Sequence, residues 1–194
     1  MGQPKHWLPF GPELMLQRVV RLVAEAVRPV VVVAAPGERV PGTVSRTFPP
    51  DVRVVFDRQP DRGPLEGIAV GLATIQPEAD LAFVTACDTP LLRPALVRRL
   101  TDLAEGYDLV VPHVEGYDHP LSAVYRTSVL GHVESLLAAG RMRPAFLFDR
   151  VRTRRVTAEE LADVDPGLES LLNVNSPDDY AAALEQAGFG LDEG

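Results

Sequence analysis

Cysteine is nearly missing from this chain: Cys87 is the single copy among 194 residues. An internal disulfide and a multi-thiolate metal site are therefore excluded. No apolar run approaches the roughly 20 residues that a bilayer span needs, and no apolar leader segment is expected at the start. Basic residues are outnumbered, 19 Lys and Arg against 27 Asp and Glu, for a formal charge of −8. Such a surface repels a phosphodiester backbone, so nucleic-acid binding is not expected. Low-complexity tracts and internal repeats are lacking too, the 18 prolines falling mostly at turns and helix starts. These exclusions leave a soluble, cytoplasmic protein without membrane association. The length suffices for one domain with a real core, expected over residues 1–188, with a frayed tail at 189–194.

What is present is an alternation of apolar runs and amphipathic stretches. A helix is expected over residues 13–27, where Leu14, Leu16, Val19, Val20, Leu22, Val23 and Val27 share one broad face. Residues 30–35 form a β-branched apolar run stopped by Pro36-Gly37, the pattern of a strand buried on both faces. Further strands are expected at 52–56, 81–85, 108–111 and 121–125, and a short one at 154–157. Helices are expected at 65–75, started by Gly63-Pro64, and at 93–104, 127–139, 144–149, 158–163 and 177–186, the last with Ser176 as its N-cap. Strands alternating with helices imply an α/β fold with a mostly parallel sheet and right-handed crossovers. The chain opens on Met1-Gly2-Gln3-Pro4-Lys5, a loop that should follow a strand, so the first strand of the sheet is expected to be missing. Ligands in such sheets bind beyond the carboxyl ends of the strands.

Three acidic or basic residues stand at those ends. Asp88 follows the apolar run at 81–85, and Thr89-Pro90 turns the chain beside it. A hard divalent cation bridging triphosphate oxygens takes one or two such carboxylates; the plainer alternative is an Asx turn or helix N-cap. Asp57 ends the run at 52–56, and Gly63-Pro64-Leu65-Glu66-Gly67 follows it. The glycines permit close approach of a ligand to the backbone, and the helix start offers free N–H groups; an ordinary strand-to-helix turn would look similar. Lys5 could act as a point charge on a phosphate, or be a solvated lysine near a terminus. Cys87 reads as a small buried residue, with no histidine nearby in sequence to activate it. His119 lies in a loop without an evident partner. Arg141, Arg143, Arg150, Arg152, Arg154 and Arg155 form a basic cluster, read as a solvated face paired with Asp149, Glu159 and Glu160, one or two of them remaining candidates for an acceptor phosphate.

The order of these elements carries more than any one of them. Met1-Gly2-x-Pro4-Lys5 with Leu8-Pro9-Phe10-Gly11 resembles the end of the nucleotide-binding signature of the molybdenum cofactor guanylyltransferases. Asp57 with Gly63-Pro64-Leu65-x-Gly67, then Cys87-Asp88-Thr89-Pro90, His119-Pro120-Leu121 with Tyr125, and Asn173-Val174-Asn175-Ser176-Pro177-Asp178-Asp179 resemble further segments of that family in the same order. The resemblance implies a three-layer, Rossmann-like nucleotidyltransferase of the family-A glycosyltransferase type, using GTP and a molybdopterin-type acceptor. Asp88 would hold Mg2+; Lys5 and Asp88 would be catalytic; Lys5, Asp57, Gly63, Pro64, Leu65 and Asp88 would bind the nucleotide. Pro120, Asn173 and Asn175 would serve the acceptor side. Molybdoenzymes or other cofactor-biosynthesis proteins are the partners it suggests. The alternatives are cytidylyl transfer to the same acceptor, nucleotidyl transfer to another phosphate such as a sugar 1-phosphate, and a non-catalytic cofactor-binding or regulatory module.

Two departures from the family pattern bear on these expectations. The strand and glycine-rich segment that open the family signature do not precede Met1-Gly2, as if translation had been assigned to an internal methionine or the triphosphate loop had been lost. The position where the family often has asparagine after its second strand is Ala34 or Ala35, which leaves the choice between guanine and cytosine open.

Overall fold

A computed structural model describes residues 5–38, 47–60 and 62–190. Of the opening signature only Lys5 and the residues after it fall within that span, and the tail beyond 190 lies outside it. After a 3-10 turn at Lys5–Trp7, strands β1 (Pro9–Phe10) and β2 (Glu13–Leu14) make a small antiparallel hairpin that leads into α1 (Met15–Ala24). Gly11 turns this hairpin with φ +62°; a side chain there would strike the Phe189 ring at 2.7 Å. Helix α1 starts two residues later than the periodicity predicts because Glu13 and Leu14 pair with β1. Its first turn is closed by Gln17, whose Oε1 accepts from the Leu14 N–H at 2.7 Å. It stops at Ala24, short of the predicted residue 27.

The apolar runs become strands almost as read. β3 (Val30–Ala34) and β4 (Val52–Phe56) pair in parallel, and the Asp57 N–H extends the ladder to the Ala34 carbonyl at 2.9 Å. Helix α2 (Pro64–Ile75) then crosses to β5 (Leu81–Thr85), and α3 (Pro94–Asp102) follows. The remaining strands are β6 (Leu109–Val114), β7 (Tyr117–Asp118), β8 (Ser122–Arg126) and β9 (Thr153–Val156), with α4 (Leu130–Ala138), α5 (Ala158–Leu161) and α6 (Pro177–Gln186). Short 3-10 turns stand at Thr127–Val129, Pro144–Leu147 and Glu169–Leu171.

The class expected from sequence holds, with β7 and β8 as antiparallel members of the sheet. β8 inserts between β5 and β6 and runs antiparallel to both, and β7 is antiparallel to β6; β9 returns parallel to β6. The hairpin through Glu115 and Gly116, both with positive φ, reverses the chain directly and makes the antiparallel partner possible without a crossover. Among the described residues β3 and β5 share no hydrogen-bond ladder, so the strands form separate sheets there.

Alternation along the strands builds two cores. Val110 and Val124 join Val19, Val20 and Val23 of α1 and Leu96, Val97 and Leu100 of α3 on one side. Leu109, Val111, Ala123 and Tyr125 join Leu65, Ile68 and Leu72 of α2 and Val133, Leu136 and Leu137 of α4 on the other. Helices on both faces of the strands give three layers, and each fully buried leucine contributes about 1.5–3 kcal/mol by leaving water. A third cluster of Phe10, Met15, Val174, Ala183 and Leu184 pins α6 to the first hairpin. Phe189, assigned from sequence to a frayed tail, belongs to that cluster: its N–H bonds the Leu184 carbonyl at 2.8 Å and its ring lies under Arg18. Among the described residues no helix is long and apolar enough to cross a membrane.

Candidate active site

The turn after β5 aims one carboxylate. Thr89 Oγ1 donates to the Ala86 carbonyl at 3.0 Å and lies 3.0 Å from Thr85 Oγ1, locking the turn between them. Asp88 sits inside that turn, its side chain 16% exposed. Oδ2 lies 3.6 Å from the Lys5 ammonium, while Oδ1 is buried without a hydrogen-bond partner. A buried carboxyl oxygen left without a donor is costly.

Lys5 is also fixed from the far end of the chain. Its Nζ donates to Asn175 Oδ1 at 2.6 Å, and the Val174 N–H donates to the Asp88 carbonyl at 2.8 Å. Ser176 caps α6, its Oγ accepting from the Asp179 N–H at 3.1 Å, while the Asp179 carboxylate accepts from the N–H groups of Asn175 and Ser176. Those two backbone bonds hold the Asp179 carboxyl below its ordinary range. Residues 5, 88 and 175, far apart in sequence, thus form one polar cluster. Asn173 is exposed and makes no side-chain hydrogen bond among the described residues, so of the two asparagines it is the second that meets Lys5 there.

Asp57 stands at the matching end of β4. Its Oδ1 is buried and unpartnered, and burial followed by the charge of Glu66 pushes its carboxyl above the ordinary range. Gly63, with φ +67° and ψ −175°, caps α2 in a conformation open essentially to glycine alone. A methyl on Gly67 would make an ordinary contact with Asp57 Oδ1 at 3.6 Å, so this glycine lies directly beside the carboxyl. Asp57, Gly63, Pro64 and Gly67 line the same cavity as Cys87, which brings the two carboxylate turns to one mouth. Leu65 departs from its expected role: its side chain is wholly buried in the α2–α4 core, leaving only its backbone for a ligand.

Three participants escaped the sequence reading. Glu66 is buried at the start of α2, 3.8 Å from Arg62; the signal available was a lone acid among Leu65, Ile68 and Ala69. Arg62 lines the cavity and donates through Nη2 to the Leu137 carbonyl. Glu38, after β3, reaches His6 at 2.5 Å and accepts from the Ala35 N–H at 3.2 Å, tying that loop to the residue beside Lys5.

The remaining candidates lie apart. The Pro120 carbonyl is occupied by the Tyr125 hydroxyl at 2.9 Å, and Leu121 beside it reaches the cavity. His119 is lowered in pKa, burial outweighing the opposing charge of Asp118. Cys87 is pushed up to about 11, by burial first and the Asp88 charge second, as expected of an inert thiol. Three of the six clustered arginines are paired, two of them with other acids than those expected: Arg152 with Asp108, Arg155 with Asp118, and Arg154 with Glu160 as read, while Arg141, Arg143, Arg150, Asp149 and Glu159 form no ion pair among the described residues. The chain reverses at Gly116 and brings Asp118 on β7 against β6, the strand that also pairs β9, so that it meets Arg155, a pairing invisible to sequence spacing.

Comparison with known proteins identifies the family. Residues 1–156 match the model of the MobA-like NTP transferase domain. A probable molybdenum cofactor guanylyltransferase of Mycobacterium tuberculosis (strain H37Rv) is 36% identical over 180 residues, covering 91% of this chain and 83% of that protein. The crystal structure of molybdopterin-guanine dinucleotide biosynthesis protein A from Archaeoglobus fulgidus superposes with a TM-score of 0.78 at 21% identity, over 96% of this chain and 92% of the other. A Mycobacterium tuberculosis protein, Rv0371c, crystallised in complex with manganese, has the same fold with a TM-score of 0.62 at 19% identity, over 94% and 91%. The chain is a nucleotidyltransferase and belongs to the MobA-like NTP transferase family.

Proposed function

We propose that this protein transfers GMP from GTP to the terminal phosphate of a molybdopterin-type acceptor in the cytoplasm, releasing pyrophosphate. One observation supports this reading above the others: Asp88 Oδ1, buried and without a partner, stands at the carboxyl end of β5 beside the Lys5 ammonium. Among the described residues no group of three or more His, Cys, Asp or Glu could cage a metal. A single free carboxylate suits Mg2+, which keeps its waters and takes its other ligands from phosphate oxygens. Bound there, Mg2+ would supply neutralising charge at the triphosphate.

The chain's own residues do the rest by position and charge. An acceptor phosphate oxygen forms a bond to the α-phosphorus as the bond to the β-phosphate oxygen breaks, and pyrophosphate carries away the electron pair. Lys5, held by Asn175 and Asp88, supplies a positive charge where negative charge accumulates. Asp57, with a free oxygen, accepts a hydrogen bond from the base or the ribose, and Gly63 and Pro64 let the nucleotide approach α2. Asn175 orients Lys5 from the acceptor side. Alignment rather than a covalent enzyme intermediate carries the reaction, in keeping with the inert Cys87.

Pyrophosphate release tests it, with molybdopterin and each triphosphate supplied in turn. GTP is expected to support turnover; turnover with CTP alone would reassign the base. Asp88→Asn should lower kcat by about 10²–10³-fold with an unchanged circular dichroism spectrum, the scale of losing one essential electrostatic element. Near-normal turnover in that variant would refute the role of Asp88.

A further inference from the structure

The edge of the sheet that carries Asp88 continues sideways to β6. Ser122 pairs with Thr85, so the chain just before β8 runs past the carboxyl end of β5. Val110 pairs with Val124 and Pro112 with Val156, which brings the end of β6 to the same level. There β6 presents His113, about 10 Å from the line of β5, since one strand lies between them. Side chains alternate along β6: Leu109 and Val111 enter the core of α2 and α4, and His113 follows on that face. Gly63 and Pro64, at the start of α2, belong to the same side of the sheet.

His113 is held by a carboxylate that is itself held. Asp118 stands opposite it on β7 and accepts from His113 Nδ1 at 2.8 Å, and from Arg155 Nε at 3.0 Å and Nη2 at 3.3 Å. A carboxylate has no proton to give, so Nδ1 is the donor, and Nε2 keeps a free lone pair in the neutral ring. Among the described residues neither His113 Nε2 nor Arg155 Nη1 makes a hydrogen bond, and the His113 side chain is 38% exposed. Arg155 is steadied by the Phe148 ring, 5.7 Å from its guanidinium carbon. Clipping the hairpin does not require the imidazole. Arg155 already neutralises Asp118, and the His119 N–H already bonds the Pro112 carbonyl at 2.9 Å. An imidazole oriented by a carboxylate, with its second nitrogen open, is a fixed acceptor presented to a ligand.

We infer that His113 Nε2 and Arg155 Nη1 bind the ring end of the acceptor, the end farthest from its reacting phosphate. One acceptor atom beside one donor is the complement of a lactam edge, where a ring N–H stands next to a carbonyl. A pterin carries such an edge. With the phosphate at Asp88 and the ring at His113, the acceptor lies along the carboxyl ends of β5, β8 and β6. Asp118 and Arg155 then act together: the carboxylate sets which imidazole nitrogen is open, and the guanidinium supplies the donor beside it. The nature of the acceptor rests on the guanylyl-transfer reading; the oriented pair itself does not.

Fluorescence titration with 6-hydroxymethylpterin, a pterin without phosphate, tests this on the parent, His113→Asn and His113→Gln, with GTP and Mg2+ titrated separately. Asparagine keeps a donor for Asp118 but falls short of the Nε2 position, whereas glutamine places its amide there. The parent should bind the pterin, and His113→Asn should weaken it about tenfold or more, the scale of one lost hydrogen bond to a ligand. His113→Gln should recover at least part of that loss, with GTP affinity and Tm unchanged in both variants. Undiminished pterin binding in His113→Asn would show that only the clip to Asp118 matters and overturn the inference. Equal loss in both variants with a lowered Tm, or no pterin binding by the parent, would overturn it too. Selective loss in His113→Asn while the parent releases no pyrophosphate from GTP and molybdopterin would uphold the ring site and sink the guanylyl-transfer reading. Normal transfer by the parent with full pterin binding by His113→Asn would sink the ring site alone.

Discussion

Two carboxylates with unpartnered oxygens close β4 and β5, Asp57 lining the cavity and Asp88 following Cys87, which lines it too, yet their surroundings differ. Asp88 has an ammonium beside it; Asp57 has burial and Glu66, both of which oppose its charge. A carboxyl whose folded pKa is raised contributes stability that is present below the unfolded value and lost as pH rises through the folded one. Asp57→Asn should therefore be more stable than the parent at pH 7, and its Tm advantage should vanish as pH falls below the carboxylate range. An equal advantage at all pH values would show that charge is not its cause. The same loss of solvent acts on Cys87, lifted from 9.0 to about 11. Its thiolate fraction at pH 8 is then about a hundredfold below that of an ordinary thiol. Iodoacetamide should label it about a hundredfold more slowly than a free peptide thiol, with the rate rising up to pH 11; rapid labelling at pH 8 would contradict the burial. Both acids were legible in the sequence because each closes an apolar run. Their difference in environment was not, since Glu66 and Lys5 reach them only through folding.

At the scale of elements, helix starts carry much of the site. Ser176 caps α6 while Asp179 draws in the N–H groups of Asn175 and Ser176, and Asn175 in turn orients Lys5. Ser176→Ala should destabilise the protein by about 1 kcal/mol in urea denaturation. It should also weaken turnover modestly through a loosened Asn175; stability loss with unchanged kinetics would separate the cap from the site. The Asp179 carboxyl, lowered by those backbone donors, contributes stability present above its unfolded value and lost as pH falls through its folded one. This cap was readable from Ser176-Pro177-Asp178-Asp179, because capping is local chemistry. The insertion of β8 between β5 and β6 was not, because strand order follows from packing and from a reversal at Glu115-Gly116, whose consequences lie far along the chain.

Across the whole molecule, the core on one side of the strands joins the first helix to the last strand. Leu100 is fully buried there, among residues of α1, α3, β6, β8 and β9. Leu100→Ala should cost about 2–5 kcal/mol, read as a lower urea midpoint at unchanged m-value, since the surface exposed on unfolding stays the same. A changed m-value would mean that the two helical layers unfold separately. The small cluster of Phe10, Met15 and Phe189 adds a second closure, between the first hairpin and the end of α6, and thereby sets Lys5 near Asn175.

Local patterning alone determined where the longer strands and helices lie, though not the short pairings at Pro9–Phe10, Glu13–Leu14 and Tyr117–Asp118, and also which acids end strands, the N-cap of α6 and the family order of motifs, because period, β-branching and capping are properties of neighbouring residues. Only the tertiary structure decided that β7 and β8 join the sheet as antiparallel members, that Leu65 is core, that Asn175 rather than Asn173 meets Lys5, and that Arg152 and Arg155 take Asp108 and Asp118 as partners. Each of these depends on contacts between distant segments, whose relative placement is set by burial of the whole core and is not encoded in any single stretch.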